Sequence, residues 1–460
     1  MTWQTILAAM LPEHLLLAGI VLLLVLEIGS DKPRGALTLS LVFVAAAAAG
    51  AAWLHWMGYS ASPFPGHYSV DPGSSIAKAI VLALAVPVLL LARDDFAEGP
   101  FYPLLLSSLY GLCLLLSADS FLTLFLGLEL MSLPVYALVL LAFGRPESPE
   151  AALKYLVLSG TATAMFLMGV SFLYGGSATM SLSAFASALD SADTMARAAV
   201  VLVVLAFFLK AAIVPFHAWA PDAYEGASVT VTAYMATVIK AGVLLAALRL
   251  FGATPVSGAM VDLLAIVPLV SIVWGNLAAM RQRSFRRMIA YSSIAHAGYL
   301  FYAFLGDGPG RLQAVVFYLL AYGLMNILAF ASIPRGGDDA TRDRLDHMQG
   351  LFHRDPYAAV MIGIAMLSLA GIPPFPGFVA KFLIFKNVIA AGYTTYAVLG
   401  LVGSYLGIYF YLRVIQFLFM SPDAADTRAA PGGPALVASV ICLVPAILLS
   451  VFPGFVFGRF

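Results

Sequence analysis

Long apolar runs separated by short polar breaks fill this chain. They cover approximately residues 11–29, 37–57, 75–92, 101–117, 120–143, 152–174, 197–216, 229–251, 260–280, 287–305, 312–333, 357–389, 396–420 and 434–457. A helix of about 17–25 apolar residues crosses the hydrocarbon core of a bilayer. The pattern therefore predicts an all-α polytopic membrane protein with about fourteen transmembrane helices. Lysine and arginine are shared unevenly between its two sides. Loops after odd-numbered runs hold Lys32, Arg34, Arg93, Arg145, Lys154, Arg281, Arg283, Arg286, Arg287, Arg335, Arg342, Arg344, Arg354 and Arg428. The opposite loops and helix ends hold Lys78, Arg197, Arg249, Arg311 and Arg459. Positive charge collects on the cytoplasmic side, so both termini are expected outside, on the periplasmic or equivalent face.

Two runs are interrupted internally. The seventh breaks at Ile-Val-Pro215-Phe-His, and the twelfth at Gly371-Ile-Pro373-Pro374-Phe-Pro376-Gly377. Proline removes a helical donor, and the freed backbone groups need a protein or water environment. Paired breaks in corresponding places point to an ion site built on inverted repeats. Runs 4–8 and 9–13 form two such five-helix units, with runs 7 and 12 in matching positions. The expected organisation is an N-terminal three-helix segment (1–100), a first repeat (101–251), a second repeat (252–420) and a final helix (421–460).

Charge inside the apolar runs supplies the candidate chemistry. A charged side chain at mid-membrane costs roughly 2.5–3.5 kcal/mol on insertion scales. Lys210, Lys240 and Lys381 each lie within a run, too deep for the long stem to lift the amine to the interface. Glu129 lies about 15 Å into the fifth run, at ~1.5 Å per residue. An ion pair between Glu129 and Lys210 would tune how firmly the lysine holds its proton; the alternative is a static salt bridge. His296 lies between the two interrupted segments in sequence. It reads equally as a proton relay between Lys240 and Lys381 or as a hydrogen-bonded core histidine. His217 reads as part of an inner path or as a loop residue. Asp222 and Glu225 read first as solvated turn residues, with a role at the inner mouth as the alternative, and Lys386 as a lysine snorkelling to the outer interface.

Composition narrows the picture further. Of the 460 residues 62% are hydrophobic and 10% charged, against about 25% charged in ordinary globular domains. The zero net charge and the lack of a basic stripe give no sign of nucleic-acid binding. Cys113 and Cys442 lie in separate apolar runs and read as small buried residues. No basic region precedes the first apolar run, which reads as a membrane helix and not a cleaved signal. No dinucleotide fingerprint, phosphate loop, cysteine cluster or haem motif stands in a suitable context. The chain is expected to carry no cofactor and no metal of its own.

Four stretches carry a family resemblance. They are Gly127-Leu-Glu129-Leu-Met-Ser-Leu-Pro134, Lys210 with Val-Pro-Phe-His-Ala-Trp-Ala-Pro-Asp-Ala-Tyr-Glu-Gly226, Arg287-Met-Ile-Ala-Tyr-Ser-Ser-Ile-Ala-His296-Ala-Gly-Tyr299, and Gly371-Ile-Pro-Pro-Phe-Pro-Gly-Phe-Val-Ala-Lys381-Phe382. With these the sequence resembles the antiporter-like membrane subunits of respiratory complex I, the proton-translocating NADH:quinone oxidoreductase, over nearly its whole length. The resemblance implies a translocase subunit of a bacterial inner membrane, with Glu129, Lys210, Lys240 and Lys381 at the family's glutamate and lysine positions. It also implies neighbouring antiporter-like and small helical subunits and lipids as partners, protons as the transported ion, and a parent complex holding FMN, iron–sulfur clusters and quinone. Two departures stand out. Ser228-Val229-Thr230 replaces the usual Pro-Thr-Pro before the eighth run, and Pro376 replaces a small residue, which would lengthen the second break. The rival readings are a subunit of a multi-subunit cation/proton antiporter or membrane-bound hydrogenase, and a purely structural membrane spacer.

Overall fold

A computed structural model describes residues 3–29, 35–96, 99–142, 144–189, 191, 193–252, 254–306, 308–334, 344–421 and 433–454. Lys32, Arg34, Arg335, Arg342, Arg428 and Arg459 lie outside the described residues. The chain is a bundle of helices: α1 (Leu11–Gly29), α2 (Ala36–Trp56), α3 (Pro72–Asp95), α4 (Phe101–Leu116), α5 (Phe121–Leu140), α6 (Ser148–Ser177), α7 (Thr194–Lys210) and α8 (Trp219–Gly226). There follow α9 (Val229–Phe251), α10 (Ala259–Ala279), α11 (Phe285–Tyr302), α12 (Gly308–Ala331), α13 (Pro356–Ala370), α14 (Pro376–Ala390), α15 (Thr394–Phe419) and α16 (Gly433–Val451). A hairpin of β1 (Ala61–Phe64) and β2 (Tyr68–Val70) stands between α2 and α3.

Among the described residues, eleven helices are long and apolar enough to cross a membrane alone. The other three apolar runs correspond to α4, of 16 residues, α7, of 17, and the pair α13 and α14, of 15 each. Burial sorts the helices into layers. The hydrophobic window of α9 is 100% buried, that of α1 only 28%. A helix apolar all round that is enclosed by protein belongs at the centre of the bundle. One whose leucines and valines face outward belongs against lipid.

Close packing depends on small residues, as expected where lipid removes the hydrophobic drive between helices. A Cβ at Gly111 of α4 would come 2.3 Å from the Met131 nitrogen of α5. One at Gly298 of α11 would meet the Pro268 carbonyl of α10 at 2.7 Å.

Both interruptions are present, each differing from the sequence reading. In the first, the helix stops at Lys210, five residues before Pro215, so the lysine is the last residue of α7 and not a mid-helix one. Ala212 takes a left-handed backbone (φ 62°), a conformation that costs a non-glycine residue about 1–2 kcal/mol. Freed backbone groups find partners: the Trp219 indole donates to the Leu209 carbonyl at 2.9 Å, and the Val214 nitrogen donates to Ser271 Oγ at 2.7 Å. In the second, Gly371–Phe375 form the break, and Pro376 opens α14 at its first turn. Pro376 therefore does not extend the break, because a proline at the first helical position gives up only a donor that has no intrahelical partner.

The Ser-Val-Thr start of α9 is also accounted for. Ser228 caps the helix by accepting from the Val231 nitrogen at 3.2 Å, and Thr230 donates from its nitrogen and hydroxyl to Asp95 at 2.9 and 2.8 Å. Within α9, Met235–Ile239 form a π-helical turn directly before Lys240.

The second break rests on Gly377, whose nitrogen donates to Ser368 Oγ at 3.1 Å. A Cβ there would lie 1.8 Å from the Ser368 carbonyl, whereas one at Gly363, elsewhere on α13, meets nothing within 4 Å. Gly377→Ala should lower stability by ~1–3 kcal/mol through overpacking, and Gly363→Ala should leave it unchanged or slightly raised. Thermal unfolding midpoints of the two purified variants check this contrast.

Candidate functional site

A buried ammonium needs hydroxyls, carbonyls or a carboxylate to replace its water. Each membrane lysine of this chain has such a set. Lys210 Nζ donates to Ser159 Oγ at 2.6 Å, to Ser132 Oγ at 3.2 Å and to Glu129 Oε1 at 3.4 Å. Glu129 accepts in addition from Thr163 Oγ1. The expected Glu129–Lys210 pair is thus formed, with three hydroxyls around it that the sequence reading did not single out. Ser159 and Thr163 are four residues apart on α6, the spacing of one helix face.

Lys240 and Lys381 have no carboxylate within ion-pair distance among the described residues. Lys240 Nζ donates to the Ser293 carbonyl at 2.7 Å and also to its hydroxyl. Lys381 Nζ donates to the Ala370 carbonyl at 2.9 Å and to Ser404 Oγ at 3.1 Å, and lies 5.1 Å from the centre of the Tyr299 ring. Gly371, in a left-handed conformation (φ 85°), makes room for it: a Cβ there would come 3.2 Å from Lys381 Nζ.

Helix α11 joins these two lysines. Ser293, His296 and Tyr299 follow at three-residue spacing on one face, so Lys240 meets the first and Lys381 the last, with His296 between them. The imidazole is held at both nitrogens: Tyr318 lies 2.7 Å from Nδ1 and Tyr411 lies 2.9 Å from Nε2. Tyr411 lies 2.5 Å from Ser292 Oγ. Since either tautomer can be matched by reorienting a phenol, this arrangement can pass a proton through the ring. The two tyrosines carried no signal in the sequence, because aromatic residues are common throughout these runs. No direct side-chain contact links Lys210 with Lys240 among the described residues.

Broken helices add an electrostatic feature. Lys210 ends α7, and the Lys381 ammonium sits on the last carbonyl of α13. The carboxyl end of a helix carries roughly half a negative charge and favours a cation. Both lysines therefore occupy the same kind of place, at the carbonyl end of an interrupted helix.

The residues after the first break differ in part from the sequence reading. Asp222 and Glu225 lie on α8, partly exposed and ion-paired. Arg287 bonds Asp222 at 2.8 Å and Glu225 at 2.9 Å, Lys154 bonds Asp222 at 2.7 Å, and Arg145 donates to the Glu225 carbonyl. These groups line a cleft of about 290 Å³ with Glu147 and Glu150. Arg286, read as a topology residue, is fully buried and donates to the Ala227 carbonyl. His217 is half-buried in the turn, accepting at Nε2 from the Trp274 indole at 3.0 Å. Lys386 is exposed, at the edge of an apolar groove that also reaches Lys381.

Residues 118–407 match the family model described as NADH:quinone oxidoreductase/Mrp antiporter, TM. The chain is 39% identical over 432 residues to a protein of Pelobacter propionicus named NADH-quinone oxidoreductase subunit N, covering 93% of this chain and 91% of that one. It superposes on a chain of respiratory complex I from Thermus thermophilus with a TM-score of 0.85 and 35% identity, covering 97% of this chain and 98% of that one. A chain of the Mrp complex of a Dietzia species shares the fold, with a TM-score of 0.84 at 22% identity, over 98% of this chain and 96% of that one.

The Asp222–Lys154–Arg287 cluster makes a pH prediction. Burial alone would raise the Asp222 carboxyl, but Lys154 and Arg287 outweigh it and hold it below its ordinary value. Such a group contributes stability above its unfolded pKa, and that contribution is lost as pH falls through the lower folded one. The unfolding midpoint of the wild type should therefore drop as pH falls below about 4. Asp222→Asn should remove that part of the pH dependence and cost about 1 kcal/mol at neutral pH, as thermal melts across a pH series would record.

Proposed function

Because the chain belongs to the subunit N group of the NADH:quinone oxidoreductase/Mrp antiporter family, we propose that it is a proton-translocating membrane subunit of a bacterial NADH:quinone oxidoreductase. It sits in the inner membrane with both termini on the periplasmic side, in line with the bias of its Lys and Arg residues. Its neighbours are other membrane subunits of the complex, together with lipid. FMN, iron–sulfur clusters and quinone belong to the rest of that complex. This chain contributes the translocase function and no redox chemistry.

Glu129, Lys210, Lys240, His296 and Lys381 form the proton relay. Runs 4–8 and 9–13 act as two inverted units, each offering one lysine at the carbonyl end of a broken helix. Redox energy reaches the subunit as a displacement that parts Glu129 from Lys210. Without its counter-charge the ammonium gives up its proton more readily, and the surrounding hydroxyls take over its hydrogen bonds. Moving one charge against 100 mV costs about 2.3 kcal/mol. A change in proton affinity of roughly two powers of ten covers this, at ~1.36 kcal/mol for each. Protons are relayed between Lys240 and Lys381 along the α11 face, past Ser293 and through His296.

The observation that carries the reading is the Glu129–Lys210 pair at 3.4 Å inside a hydroxyl cage. A lysine held this way can lose its carboxylate partner without being left bare.

Purification of the tagged chain in mild detergent should bring flavin, iron–sulfur clusters and NADH:quinone activity with it. Recovery with membrane subunits alone and no redox centres would move the chain to the cation/proton antiporters. In the assembled complex, Lys210→Ala should lower NADH-driven proton transport about tenfold or more; transport at the wild-type rate would rule this mechanism out.

A further inference from the structure

A second buried carboxylate–lysine pair lies far from the relay. Glu13, in the first turn of α1, and Lys78, in the second turn of α3, meet at 2.7 Å. Their side chains are 0% and 1% exposed. The sequence reading counts Lys78 among the loop and helix-end residues of the outer side, where a lysine amine could reach water. The hairpin prevents this. Tyr68 of β2 closes over the pair, donating to Glu13 Oε1 at 2.6 Å and accepting from Lys78 at 2.8 Å.

Polar atoms around this pair are left over. Glu13 Oε2 and the hydroxyls of Ser75 and Ser117 are buried with no hydrogen-bond partner among the described residues. Ser75 precedes Lys78 by three residues on α3, which places both on one face. Buried polar atoms are nearly always paired, with protein or with ordered water. Three unpaired ones beside a buried ion pair call for water.

The hairpin that covers the pair is also fastened to α9. Arg249, nine residues beyond Lys240 on α9 and about 13 Å along it, binds the chain just after Tyr68 and the segment that follows α4. It donates to Ser69 Oγ at 2.6 Å, to Asp71 Oδ2 at 2.8 Å and to the Ala118 carbonyl at 2.7 Å. A cleft of about 190 Å³ runs beneath it, lined by Asp71, Ser74, Ala77, Leu245 and Leu248. Ala77 adjoins Lys78, and Leu245 lies little more than one turn from Lys240.

We propose that Glu13, Lys78 and Tyr68 form a proton-release site at the outer end of this subunit, handing protons arriving from the Lys240 side to the outer aqueous phase. This rests on the translocating function proposed above. Lys78 passes a proton to the Tyr68 oxygen as the Tyr68 hydroxyl proton moves to Glu13 Oε1. The neutral Glu13 then turns about Cγ–Cδ so that its protonated oxygen leaves Tyr68 and releases that proton to water, and Lys78 is recharged by the next proton from the interior. One proton enters and one leaves in each cycle, and the tyrosine is unchanged. Burial and the Glu13 charge push the Tyr68 phenol well above its usual range, so it stays protonated and acts as a bridge.

A purely structural ion pair makes the contrary prediction. Each buried ion costs several kcal/mol to desolvate, and replacing both members with apolar residues of similar size is often neutral or stabilising. Two variants in the assembled complex, reconstituted in liposomes, separate the cases. Glu13→Leu combined with Lys78→Met removes both charges and keeps the volume. Tyr68→Phe keeps both charges and the ring while removing the bridge. The expected result for each is NADH-driven proton transport lowered about tenfold or more, with subunit composition and NADH oxidation by an artificial acceptor as in the wild type. Wild-type transport in the double variant overturns the proposal. Should the double variant fail to assemble, wild-type transport in Tyr68→Phe overturns it alone. Failure of the underlying functional reading would show separately, as a wild-type chain that purifies without NADH oxidation.

Discussion

A positive charge in an apolar medium has to be solvated by something, and in this chain backbone and hydroxyl groups do it. Lys210, Lys240 and Lys381 all lie in the bundle, where each would otherwise lose several kcal/mol of hydration. Much of the interior is arranged to meet that demand. An interrupted helix turns its last carbonyl toward Lys381. Serines stand against all three ammonium groups, and Gly371 leaves the space that Lys381 fills. A lysine solvated by neutral dipoles is easier to deprotonate than one locked to a carboxylate. Of these three lysines, Lys210 alone has a carboxylate within ion-pair distance among the described residues.

Each solvating device also costs stability, and the surrounding packing offsets it. Breaking a helix frees donors and acceptors, which Trp219, Ser271 and Ser368 satisfy from neighbouring elements. Those contacts tie the breaks to α8, α10 and α13.

Much of this was legible in the sequence, for a simple reason: a charge or a cluster of prolines in an apolar run is rare enough to be noticed. Glu129, Lys210, Lys240 and Lys381 stood out that way, and so did both interrupted segments. Their hydroxyl partners did not. Serine and threonine occur throughout the apolar runs at little cost, so Ser132, Ser159, Thr163 and Ser293 look like their neighbours until the helices pack. The burial of Lys78 carried no signal in the sequence, because burial of a helix end depends on what covers it, and two strands of four and three residues in a polar gap announce little. Asp222 and Glu225 were read as solvated for the same reason. Their partners Lys154 and Arg287 are more than sixty residues away in sequence.

The π-helical turn at Met235–Ile239 gives α9 a property that an uninterrupted helix would lack. A wider turn inserts one extra residue into the helical count and rotates everything after it by about 100° relative to everything before. The first part of α9 is fastened through Thr230 to Asp95 and through Thr232 to the Tyr224 carbonyl. The second part is fastened through Lys240 to Ser293 and through Arg249 to the hairpin. In a strict α-helix those two sets of anchors would dictate one another's azimuth. The wide turn acts as a phase shifter, so that each part of the helix can keep its own partners while sharing a single axis.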